Sequence, residues 1–129
     1  MKAFADSLRP LAITLLRLAL GVVFLYHGVI KLTDLPHWRQ FFLHVGFPAW
    51  TAYLIGALET AGGALLILGK YSRVVALLLA GEMLVAVLKV HLPSGPFWRV
   101  TDFELPMLLS AASFWLFTHG PGPWSLDGN

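Results

Sequence analysis

Four long apolar runs, separated by short stretches of proline, glycine and charge, constrain this chain more than any other feature. They fall at about residues 11–32, 49–69, 73–91 and 103–118. A helix needs ~20 mostly apolar residues to cross the ~30 Å hydrocarbon core of a bilayer, where backbone N–H and C=O groups must find partners within the protein. The first two runs meet that length. The third carries Glu82 and Lys89, and the fourth is short enough to stand upright or thin the bilayer locally. The separators hold breaker chemistry: "TDLPHW", "LGKYSR", "HLPSGPFWR" and "HGPGPW". Pro10, Pro48 and Pro106 stand near run starts, where a helix tolerates a missing N–H. The expected fold class is all-α, a single domain over residues 1–129 forming a membrane four-helix bundle.

Composition agrees. The chain is 57% apolar and 12% charged, with a mean hydropathy of +0.73, whereas a soluble domain carries about 25% charged residues. The lipid bilayer is therefore its first partner. A net charge of +2 without a basic run gives no footing for nucleic acid. Cysteine is absent, which excludes thiol–disulfide chemistry by this chain and zinc–thiolate sites, and no metal site is expected. The first run is too long for a signal-peptide core and lacks a small-residue cleavage site, so it reads as a retained span. Basic residues divide equally between the two sides, Lys2, Arg9, Lys70 and Arg73 against Lys31, Arg39, Lys89 and Arg99. The tight "KYSR" loop decides in favour of cytoplasmic termini.

All three glutamates, Glu59, Glu82 and Glu104, lie in or at the start of apolar runs, as do Arg17 and Lys89. A lone charge at mid-bilayer costs ~2.5–3.5 kcal/mol even on the lenient insertion scale, so pairing or a wet cavity is required. At a rise of ~1.5 Å per residue, Arg17, Glu59 and Glu82 lie within about a turn of the midplane. The sequence thus predicts a central Arg17–Glu59–Glu82 layer, with Arg17 and Glu59 as a structural polar core, and an outer rim of His27, Lys31, Lys89, His91 and Glu104. Arg17, Gly21, Phe24, Gly28 and Lys31 share one helix face, and Glu82, Ala86 and Lys89 share another. Gly56, Thr60 and Ala64 form a small-residue ridge suited to close helix contact. Plainer readings stand beside these. Lys31 also suits a snorkelling headgroup anchor, Glu104 the acid of a Thr101–Glu104 capping box, and Arg17 an ion pair that only fixes helix register.

The stretches "LLRLALGVVFLYHGVIKL", "FFLHVGFPAW", "LIGALETAGGALLILGKYSRVVALLLAGEMLVAVLKVH" and "DFELPMLL" together resemble the DoxX family of small membrane proteins. The resemblance rests on Arg17, His27-Gly28 with Lys31, the Gly-Phe-Pro turn at 46–48, Glu59 with Gly62-Gly63, Gly69 and Arg73, His91 and Glu104. It implies a four-helix protein of the bacterial inner (plasma) membrane, associated with oxidoreductase systems that include a thiosulfate:quinone oxidoreductase subunit.

Three functions fit these residues. In the first, the chain is a membrane subunit of an oxidoreductase system and binds a quinone-like ligand. Phe24, Tyr26, Phe97, Trp98 and Phe103 would form an apolar slot, and His27, Lys31, Lys89 and His91 would bind the ligand. Glu82 and Glu104 would relay protons. No motif encodes a redox cofactor, so electrons require a membrane or soluble redox partner protein. The second is a non-enzymatic assembly or accessory protein, and the third a small proton-coupled transporter. Homo-oligomerisation is compatible with each.

Overall fold

The computed structural model describes residues 1–91 and 103–128, with side chains for all of these except Val90 and His91. Among the described residues the chain is helical, without strands. A short α1 (Lys2–Ser7) leads into α2 (Arg9–Thr33), followed by α3 (Leu35–His44), α4 (Thr51–Leu68), α5 (Ser72–Ala86) and α6 (Glu104–His119). α5 continues into a π turn, Val87–His91. Two helices, α2 with 25 residues and α4 with 18, are long and apolar enough to cross a membrane.

Pro10 stands in the first turn of α2, as expected of a residue that starts helices. The same chemistry at Pro36 overturns the reading of "TDLPHW" as a plain breaker, because there proline opens α3. The sequence LPHWRQFFLH places Trp38, Phe41 and Phe42 at helical spacing on one face. α4 ends at Gly69, whose positive φ of 72° lets the Gly69 and Lys70 amides bond back to the Leu66 and Leu65 carbonyls.

α2 and α4 make the most extensive helix contact, and glycines set its closeness. A Cβ on Gly21 would lie 2.8 Å from the Gly63 carbonyl oxygen, and one on Gly28 would fall on the Thr60 amide and hydroxyl. Gly56 and Gly63 press the same seam from α4, so the predicted small-residue ridge is a packing surface. α5 and α6 form a second close pair, joined where the Ser110 hydroxyl donates to the Ala80 carbonyl (3.0 Å). Leu20, Phe24, Leu66, Leu79, Met83, Leu109 and Leu116 fill the space between the pairs. Large apolar side chains also cover the outside, including Leu15, Val22, Leu54, Leu78, Leu84 and Leu108. Such a surface suits lipid and is far more apolar than water-facing monomers present.

At one end of the bundle the tail turns back beneath the helices, and Arg17 holds it. The guanidinium is fully buried. It donates to the carbonyls of Leu66 (2.8 Å) and Ile67 (3.1 Å) at the end of α4, and to those of Pro121 (2.8 Å), Pro123 (3.2 Å) and Trp124 (2.8 Å) in the tail. The Thr14 hydroxyl donates to Pro123 as well (2.8 Å). Farther along, the tail amides of Leu126 and Asp127 donate to Leu68 and Gly69. The Asp127 carboxylate accepts from the Tyr71 and Ser72 amides, both at 2.8 Å, and so caps α5 from a distance in sequence. Burial opposes charge on Asp127, but those amides and nearby Lys70 prevail and hold its carboxyl below the usual range.

Candidate functional site

The other end of the bundle contains a cavity of about 790 Å³. α4 and α5 are joined by a tight turn at the tail end, and α3 lies across the opposite end. α2 contributes His27 and Lys31, α4 contributes Thr51, Ile55 and Glu59, and α5 contributes Gly81, Glu82 and Ala86. Trp38, Phe41 and Phe42 of α3, with Phe47 beyond it, form an aromatic wall, while Glu104 and Leu105 of α6 stand at the rim. Thr51, Ile55 and Glu59 share a face because they are four residues apart, as Gly81 and Val85 do on α5.

Charge is concentrated in the depths of this cavity. Lys31 Nζ lies 2.7 Å from Glu59 Oε1, with both side chains largely withdrawn from solvent. The same ammonium sits 4.7 Å from the centre of the Trp38 ring, a cation–π contact that fixes the lysine beneath α3. Glu82 lies within hydrogen-bonding reach of the Glu59 carboxyl, and apart from that carboxyl neither buried Glu82 oxygen has a hydrogen-bond donor among the described residues. Carboxylates only accept hydrogen bonds. Lys31 balances one carboxylate, and a second buried negative charge needs a proton or a donor from a ligand. The site is therefore an apolar, aromatic chamber with a cation, two acids and a histidine converging at its inner end, the pattern of a small-molecule pocket.

This geometry redraws the predicted polar layers. Arg17 does not meet Glu59 or Glu82: its donors are used by backbone carbonyls at the tail end, about 21 Å along α2 from Lys31. Glu59 pairs with Lys31 instead. Arg17 is not level with Glu59: Gly28 of α2 packs on Glu59 and Thr60, whereas Arg17, three turns earlier, meets Leu66 and Ile67 at the tail end of α4. His27, Lys31, Glu59, Glu82 and Glu104 do line one cavity. Lys89 is exposed and lies outside it. The helix underwinds into its π turn directly after Ala86, which breaks the spacing that would carry Lys89 onto the Glu82 face. The side chain of His91 lies outside the described residues, as do Phe97, Trp98, Thr101 and Asp102. Of the proposed slot residues, Phe24 is a core residue and Tyr26 faces outward. Sequence reading missed the α3 aromatics, although the spacing of Trp38, Phe41 and Phe42 carried the signal.

The DoxX family profile matches residues 12–92. The chain is 35% identical over 97 residues to a Bacillus subtilis protein named "Putative oxidoreductase CatD", covering 75% of this chain and 72% of that protein. It is 34% identical over 135 residues to the uncharacterized membrane protein Rv3486 of Mycobacterium tuberculosis, covering 92% and 80% of the two chains. It is also 25% identical over 121 residues to the inner membrane protein YqjF of Escherichia coli, covering 94% and 93%. No solved structure matches the chain.

Proposed function

Since the chain belongs to the DoxX family of membrane proteins, we propose that it is a membrane subunit of an oxidoreductase system and that the cavity beneath α3 holds the ring of a quinone-like ligand. The observation that carries this reading is the Lys31–Glu59–Glu82 cluster at the inner end of an aromatic chamber. A quinone ring needs an apolar slot, a donor for its carbonyl oxygen and an acceptor for its hydroxyl when reduced. Trp38, Phe41, Phe42 and Phe47 supply the slot. Lys31 has three N–H donors and keeps some free after pairing with Glu59, and His27 stands one turn away on the same helix. Glu82, with no donor but the neighbouring Glu59 carboxyl, accepts from a ligand hydroxyl and takes its proton, and Glu104 at the rim passes protons to and from water. The ligand, when bound, supplies the two-electron chemistry. Electrons enter or leave through a redox partner protein.

In this reading α2, α4, α5 and α6 all cross the plasma membrane. The 16 residues of α6 reach about 24 Å, short of the ~30 Å core, so the bilayer thins around it. The tail end, with the "KYSR" loop, faces the cytoplasm. Arg17 and the tail carbonyls fill that end of the bundle, which closes the cavity toward the tail and speaks against a carrier with alternating openings.

The test is binding of a benzoquinone to purified protein, read as quenching of tryptophan emission, to which Trp38 of the cavity wall contributes. Lys31→Met and Glu82→Gln are each expected to weaken binding about tenfold or more, the loss of one charged hydrogen bond. Quenching that is unchanged in both variants contradicts the assignment.

A further inference from the structure

The helical glycines of this protein differ in one respect. Gly21, Gly28, Gly56, Gly62 and Gly63 all press against a neighbouring helix, whereas a Cβ on Gly81 would meet nothing within 4 Å. Gly81 is exposed and lies in the lipid-facing stripe Val74, Leu78, Gly81, Val85 and Leu88 of α5, where the other members are 63%, 53%, 48% and 53% exposed. It is a notch in an otherwise bulky outer surface. Glycine inside a helix is less stable than alanine, and here no packing contact offsets that cost. Gly81 also lines the cavity, immediately before Glu82. Exposed Val85 and Leu105 border the same opening.

We infer that the notch at Gly81 is a lateral doorway from the bilayer into the cavity, and that it holds the apolar tail of a membrane-dissolved ligand whose ring lies against Glu82. This rests on the ring-binding reading of the cavity and adds the ligand's class and route. The ligand carries a long hydrocarbon or isoprenoid chain, and it enters from lipid between the helices rather than from water. The exposed walls of the cavity are apolar residues of α5 and α6 and the rim acid Glu104, so a tail leaving at Gly81 passes directly into acyl chains. A ring without a tail needs only the inner end and is indifferent to the notch.

The experiment compares a decyl-tailed benzoquinone with the same ring lacking a tail, both titrated by tryptophan quenching into the full chain in lipid nanodiscs. Gly81→Leu fills the notch from an exposed position. It is expected to weaken binding of the tailed ligand about tenfold or more while leaving the tail-less ring within about twofold. Val85→Phe, one turn away on the same face, should repeat the pattern without adding a fluorophore, and Gly81→Ala should leave both ligands bound as in the wild type. Equal effects on the two ligands, or none on either, overturn the doorway while the ring site stands. A change of oligomeric state in Gly81→Leu also overturns it, since the notch would then be a contact between copies. Failure of the wild type to bind either ring overturns the ring-binding reading, and the doorway with it.

Discussion

Replacing Arg17 with methionine removes the group that joins the tail to the bundle, and the structure sets the size of the effect. The guanidinium serves five carbonyls. Leu66 keeps a bond from the Gly69 amide and Pro123 keeps one from the Thr14 hydroxyl. Ile67, Pro121 and Trp124 have no other donor among the described residues. An orphaned buried acceptor costs about 1–3 kcal/mol, so three give roughly 3–9 kcal/mol. The tail can swing outward and let water reach its own carbonyls, which places the expected loss near the lower end, about 3–5 kcal/mol. Denaturant titration in detergent, followed by tryptophan emission, measures it. Ending the chain after His119 removes three of the five acceptors, so Arg17→Met in that background should cost less than half as much. A loss under about 1 kcal/mol in the full chain, or an equal loss in both backgrounds, refutes the tail-clamp account.

Other perturbations address the remaining elements. Gly28→Ala places a methyl on the Thr60 backbone and should lower stability by about 1–3 kcal/mol through overpacking, whereas Gly81→Ala should be neutral or stabilising in the same melting experiment. Asp127→Asn tests the distant cap. Because the folded carboxyl is held below its ordinary value, its contribution is complete above about pH 3.9 and is lost as pH falls through the lower folded value. The wild type should therefore lose stability over that acid range more steeply than Asp127→Asn does. Removing both acids in Glu59→Gln/Glu82→Gln leaves Lys31 buried without a carboxylate. It should cost about 3–5 kcal/mol, more than either single change, since each acid can answer Lys31 when the other is gone.

Much of this architecture was legible in the chain. Helix α2 follows from an apolar run begun by proline, α4 from a run closed by a left-handed glycine at Gly69, and the seam between them from small residues at helical spacing. The inward placement of Glu59 and Glu82 followed from the cost of charge in hydrocarbon, whereas Lys31, expected on an outer rim, reaches inward to Glu59. Two parts were less accessible. Hydropathy marks an apolar run but not how far one helix is shifted along its neighbour, so Arg17 was set level with the acids although it packs about two turns beyond Glu59 on α4. Its true acceptors are carbonyls, present in every residue and invisible to a search for charged partners. α3 is amphipathic and too short to register as a span, and its Pro36 suggested a turn. The notch at Gly81 emerges only when each glycine's neighbours are known, because in sequence it looks no different from the packing glycines.

If the Lys31–Glu59–Glu82 chamber holds a tailed, quinone-like ring, that compound should leave the membrane with the protein. Native mass spectrometry of protein released gently from the membrane tests this most directly. One such ring compound should be retained by the wild type and missing from Lys31→Met protein that is still folded. Phospholipid alone on both proteins, or the same ring compound retained equally by both, would contradict it.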